Sequence, residues 1–109
     1  MSIQLEKRQG NKANSAEFIV LFEDSKTKIT SWRFDPGAET GWHHHNYDYV
    51  TIQKSEGRLK IENENGEIHY IDYENNQAAS YTAPIIHNAS NVSNVEVRVI
   101  EIEYKFSRP

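Results

Sequence analysis

The sequence predicts an all-β fold, a single antiparallel sandwich or barrel, on three observations. Short apolar or alternating runs recur along the chain, clusters of turn residues separate them, and no window offers two turns of amphipathic helix with caps. The chain has 109 residues, room for one core. Eight or more strands of this length shed their exposed edges by closing into a sandwich or barrel.

Each element follows in order. Residues 1–15 offer only Ile3 and Leu5 as spaced apolar positions before the polar stretch Lys7 to Lys12, and read as an N-terminal arm or edge strand; residues 16–109 read as the barrel domain. Glu17 to Glu23 is a compact apolar run ended by Asp24-Ser25-Lys26, a buried strand. In the next strand Ile29, Ser31 and Arg33 share one face and Thr30, Trp32 and Phe34 the other, up to the turn Asp35-Pro36-Gly37. Tyr47 to Lys54 is β-branched and aromatic, and Leu59 and Ile61 alternate with charged residues in the strand after it. Asn65-Gly66 predicts a two-residue hairpin turn into Glu67 to Tyr73. Runs at Ala78 to Ala83 and Ile85 to Ala89 flank Pro84. In the final strand, Val95 to Phe106, the apolar residues occupy odd positions through Val99 and even positions from Ile100, which predicts a bulge or a passage between sheets.

Composition narrows the function. Hydrophobic residues make up 37% and charged residues 26%, the balance of a folded, water-soluble domain rather than a disordered chain. A net charge of −4 argues against a nucleic-acid partner. With no apolar run long enough to span a membrane and no signal-like start, the expected location is the cytoplasm, without membrane association. The two Asn-x-Ser sequons at Asn88 and Asn91 then read as accidents of an Asn-rich loop. The absence of cysteine excludes disulfides, thiolate metal sites and thiol nucleophiles, so any metal must be held by imidazole, carboxylate, tyrosinate or backbone oxygen.

The histidines carry the chemistry. Along an extended strand His43 and His45 project to one side about 6.6 Å apart, and His44 to the other. His87, three residues past Pro84 at another element boundary, is the best third ligand from a different strand. His69 alternates with Ile68 and Tyr70 and could equally face solvent. A metal site at His43, His45 and His87 competes here with a reading of these residues as surface or hydrogen-bonded histidines, because H-x-H alone is a weak pattern.

Gly37-Ala38-Glu39-Thr40-Gly41-Trp42-His43-His44-His45, closed by Gly57, resembles the first motif of the cupin family, in which a glycine precedes an H-x-H pair, a glutamate and a final glycine. His87 and Asn91 are similar to the histidine and asparagine of the second motif. The resemblance implies a single-domain double-stranded β-helix, a cupin-type barrel, with the three histidines as metal ligands. It leaves the chemistry open, because one fold hosts enzymes and non-catalytic binding domains alike. The sequence departs from the motifs where the glutamate ligand is due, since Tyr49 and Val50 stand there. In the second motif, Asn76 replaces a glycine, which Asn tolerates in a left-handed turn, Thr82 the usual proline, and Pro84 the internal glycine, which requires an altered loop.

A divalent ion on three neutral imidazoles keeps its full charge, so the site should favour an anionic or enolisable metabolite that supplies the missing oxygen ligand. Iron(II) or zinc is the expected ion, with manganese or nickel as alternatives. Tyr49 reads as a hydrogen-bonding or proton-steering catalytic group beside the ion, because a phenol must lose its proton to ligate strongly. Asp48 has the opposite parity and reads as an outward charge or a hydrogen bond to its neighbour strand. Trp32, Phe34, Trp42 and Tyr47 read as packing or pocket walls. Arg33 and Arg98 are candidate substrate-binding residues for a carboxylate, should either point inward, against surface salt bridging for both. The expected activity is that of a metal-dependent oxygenase, isomerase or lyase. The alternatives are a barrel that binds a small molecule without turnover and one in which metal is a structural clip. A homodimer is expected, with exchange of the strand bearing Ile3 and Leu5.

Overall fold

A computed structural model describes residues 14–106, so the expected arm lies outside the described residues except for Asn14 and Ser15. The chain is all-β, with strands β1 (Glu17–Glu23), β2 (Thr27–Phe34), β3 (His43–His45), β4 (Asp48–Gln53), β5 (Gly57–Asn63), β6 (Ile68–Tyr73), β7 (Ala78–Tyr81), β8 (Ile85–Asn91) and β9 (Val97–Tyr104). They form two antiparallel sheets, β1-β2-β9-β4-β7 and β3-β8-β5-β6. The chain passes repeatedly from one sheet to the other, which is the double-stranded β-helix.

Alternation decides what faces inward. On β2, Thr30, Trp32 and Phe34 are buried, as their parity predicts, and Trp32 stacks on Phe18 of β1 at 4.9 Å between ring centres. Leu59 and Ile61 of β5 and Val97 and Val99 of β9 close the core between the sheets. Asn91 is the one fully polar side chain at the core's most buried level, and every hydrogen-bonding atom it has is used: Nδ2 donates to the carbonyls of Phe34 and Val95, and Oδ1 accepts from the Ser93 amide and hydroxyl. It thereby ties the end of β8 to the turn leaving β2 and to the entry into β9.

Four expectations need correction. β1, expected to be a buried strand, has no fully buried residue, and its Leu21 and Phe22 are exposed. β9 has no bulge: its register runs unbroken against β2 from Val97 to Tyr104 and against β4 from Val99 to Tyr104. The inward positions remain odd throughout, and after Val99 they are Glu101 and Glu103; carboxylates on the inner face, not a change of face, break the apolar pattern. The irregularity lies instead between Val20 and Phe22 of β1. The β5–β6 hairpin is wider than a two-residue turn, with the Asn63 amide donating to the Glu67 carbonyl and Gly66 to that of Asn63. Gly66 takes φ +91° as the last of three loop residues, the arrangement of a type I turn followed by a left-handed residue. Finally, Trp42 and Tyr47 are not packing residues, being 57% and 40% exposed.

Asn76 adopts φ +71°, as its place at a glycine position requires, and the Ala83–Pro84 peptide is cis. Among the described residues no helix is long and apolar enough to cross a membrane.

Candidate metal centre

The register places the histidines. Positive φ at Gly37 and Gly41 turns the chain from β2 into the short strand β3, and β3 pairs with β8 so that His43 stands directly opposite His87. His45 follows on the same face, while His44 points away and is exposed. The donor nitrogens of His43, His45 and His87 all lie within 4.8 Å of one another. His43 Nε2 and His45 Nε2 are 3.0 Å apart, near the separation of about 3.3 Å that two nitrogens adopt on one tetrahedral zinc.

The outer side of each ring fixes which nitrogen is available. His43 Nδ1 donates to the Gly41 carbonyl at 3.0 Å, leaving the Nε2 lone pair for an ion. His45 Nδ1 faces Glu103 Oε2 at 3.6 Å, so its Nε2 is likewise the inward donor. Burial pushes the imidazoliums of His43 and His87 down, His87 to about 3 with the neighbouring histidines adding to the effect. Both rings therefore stand neutral near pH 7, the state in which imidazole ligates. Three buried or half-buried imidazoles, two of them turned with Nε2 inward, fit a divalent ion.

Tyr49, at the position where the first motif has its glutamate, is 2% exposed and stacks on His45 at 4.2 Å, with Tyr81 stacked on its other side at 5.1 Å. Burial, reinforced by Glu101, pushes its phenol well above its ordinary range, so it presents a neutral hydroxyl rather than a phenolate. Asp48 points outward from this row, its Oδ1 accepting from the Ala83 amide at 2.8 Å.

His43 and His87 sit on the wall of a cavity of about 140 Å³ inside the barrel, lined also by Trp32, Phe34, Tyr49, Tyr73, Tyr81 and Glu101, with His45 buried behind them. His69, left open by its alternation, lies on the inner face opposite Ile61 and lines this cavity. Arg33 and Arg98 do not. Facing each other across the β2–β9 ladder, they take outward parity; Arg33 binds Glu17, Asp35 and Glu96 at the surface, and the Arg98 side chain is exposed.

Sequence reasoning missed Glu101 and Glu103. On the inner face Glu103 lies between Lys28 and Tyr49, and Glu101 between Thr30 and Thr51. Burial raises the Glu101 carboxyl above its ordinary value. The signal was in the sequence, since odd parity continued from Val97 and Val99 lands on both residues.

No family model matches the chain. It is 38% identical over 86 residues to the β-alanine degradation protein BauB of Pseudomonas aeruginosa, spanning 79% of this chain and 90% of that protein. A crystal structure of a cupin domain from Bordetella pertussis Tohama I is similar at TM-score 0.81 and 34% identity, over 89% of this chain and all of that one. A double-stranded β-helix protein from Klebsiella pneumoniae shares the fold at TM-score 0.71 with 16% identity, over 94% of this chain and 87% of that one. With its two motif regions meeting at one histidine cluster and its sheets superposing on these barrels, the chain belongs to the cupin family.

Proposed function

We propose that this cupin is a metal-dependent enzyme, an oxygenase or a related isomerase or lyase, acting on a small metabolite with a carboxylate, carbonyl or enolisable group, and that His43, His45 and His87 hold its ion. The observation that carries this reading is that three imidazoles converge within 4.8 Å of one another and two of them, His43 and His87, line an internal cavity instead of being sealed in packing. Iron(II) or zinc suits the nitrogen donor set, with manganese and nickel as alternatives. Such an ion supplies Lewis acidity to a substrate oxygen and, if iron, access to oxygen chemistry.

The chain's own residues then have distinct tasks. Gly41 and Glu103 keep the His43 and His45 rings turned with Nε2 inward. The neutral Tyr49 hydroxyl donates a hydrogen bond, or a proton in transit, to a substrate oxygen beside His45. Trp32, Phe34 and Ile61 exclude water from the cavity. The name of the Pseudomonas relative ties that protein to β-alanine degradation, so β-alanine and its deaminated three-carbon products belong in the substrate panel.

The test loads the protein separately with Fe(II), Mn(II), Ni(II) and Zn(II) and measures product formation and oxygen uptake over a panel of small acids, ketones and amino acids. Turnover is expected with at least one ion, abolished in His43→Ala and reduced about 10²-fold in Tyr49→Phe. Selective binding without turnover across the panel, or metal-linked stability with no ligand preference, overturns the enzyme reading in favour of a binding barrel or a structural clip.

A homodimer is also proposed, supported by the outer face of the five-stranded sheet. Phe22, Ile29, Ile102 and Val50 stand side by side across four strands, and Ile19, Ser31, Ile100 and Ile52 form the adjacent row. A solvated sheet face would alternate to polar residues here. The face measures about 600 Å² from strand spacing and rise, of the order of the ~800 Å² each partner contributes to a standard interface. It is uncharged at its centre and therefore complementary to itself.

A further inference from the structure

The cavity contains a carboxylate and no arginine or lysine. Glu101 Oε1 accepts from Trp32 Nε1 at 3.1 Å. Thr30 and Thr51 flank it in the ladder, and the aromatic rings of Trp32, Tyr49, Tyr73 and Tyr81 line the same space. Burial disfavours its charged form, with Glu103 adding to that effect and His45, Trp32 and Lys28 opposing it. Lys28 stands opposite Glu103, one row away, and does not line the cavity. A carboxylate in such surroundings is stabilised most by a cation brought in with the ligand, and the aromatic faces favour the same charge. The cavity volume, about 140 Å³, matches a ligand of about six non-hydrogen atoms.

We propose that Glu101 determines specificity by receiving the protonated amine of a small amino carboxylate or amino carbonyl compound whose oxygen end faces the histidine cluster. The oxygen end rests on the metal site proposed above; the amine end does not. The ligand class thus differs from a simple anion, which would find no basic side chain on the cavity wall.

The test compares three probes of nearly equal size on zinc-loaded protein by calorimetry: β-alanine, 3-hydroxypropanoate and propanoate. β-Alanine is expected to bind about tenfold or more tightly than either amine-free acid, and Glu101→Gln to reduce that preference below about twofold while leaving zinc content and propanoate binding unchanged. A parallel titration of metal-free protein with n-propylamine, read by nitrogen-15 NMR, is expected to shift the Trp32 indole N–H, which bonds Glu101, and not that of the exposed Trp42. Loss of zinc binding with the indole shift retained would count against the metal site alone. Equal affinity for the three acids in zinc-loaded wild-type protein, an unshifted Trp32 indole, or a preference that survives Glu101→Gln would each overturn the role of Glu101. The wild-type arms decide the matter even if the variant fails to fold.

Discussion

At the scale of the residue, strand parity decides which side chains meet at the candidate site. His43, His45 and His87 were legible because a two-residue period puts alternate side chains on one face and because His87 follows the Pro84 break by three residues, inside β8. Glu101 and Glu103 were not, since an inward carboxylate reads as an outward one whenever apolar residues are taken to define the inner face. Arg33 and Arg98 failed the same test in reverse: their parity was outward from the start, next to inward Trp32, Phe34, Val97 and Val99. The buried Glu101 makes a prediction about pH. Burial raises its folded-state pKa above the ordinary carboxyl value of about 4.5, so the native state keeps a proton that the unfolded chain has released. The stability tied to this group is therefore present below pH 4.5 and lost as pH rises through the folded value. Glu101→Gln should remove that loss. In urea titrations of metal-free protein the variant should gain stability relative to wild type between pH 4.5 and pH 7, while His43 and His87 act alike in both proteins. A wild-type-minus-variant difference that is flat over this range would contradict the assignment.

At the scale of the element, strand identity followed from alternation, and the errors arose where backbone conformation, not hydropathy, decides. Asn65-Gly66 fits a two-residue turn in composition, yet Gly66 supplies the left-handed residue that ends a three-residue loop. Gly57, legible as the closing glycine of the first motif, is required for a reason only the packing reveals. It has φ +131°, and a Cβ there would strike the Val97 side chain and approach Ser93 Oγ to 3.0 Å. Val97 is wholly buried at the start of β9 and cannot yield without disturbing Phe34 across the ladder. Gly57→Ala is expected to cost about 2 kcal/mol, combining a disfavoured backbone with overpacking. Thermal unfolding should show a midpoint lowered by about 8 °C or more, whereas Gly37→Ala, strained but meeting no neighbour, should lose less.

At the scale of the whole molecule, the fold was readable because many short strands with turn punctuation leave few closed all-β solutions, and the two histidine motifs named one of them. The outer face of the larger sheet was not readable, because its apolar rows are assembled from four strands, with β9 brought from the far end of the chain between β2 and β4. Sedimentation equilibrium should give a dimer mass for wild type and a monomer for Ile100→Lys, which sets a charge at the centre of that face. A monomeric wild type at concentrations near 100 times those of a typical assay, roughly 100 μM, would remove the proposed interface.

In the proposed metal centre, strands from two distant motifs build one imidazole site for a single ion. X-ray absorption on protein reconstituted with one equivalent of zinc tests it most directly. Three imidazole nitrogens at about 2.0 Å are expected with the remaining position oxygen, one ion per chain, and loss of that signature in His43→Ala, His45→Ala and His87→Ala alike. Stoichiometric zinc retained when His43 and His45 are both replaced, or a bound ion whose spectrum lacks imidazole scattering, would contradict it.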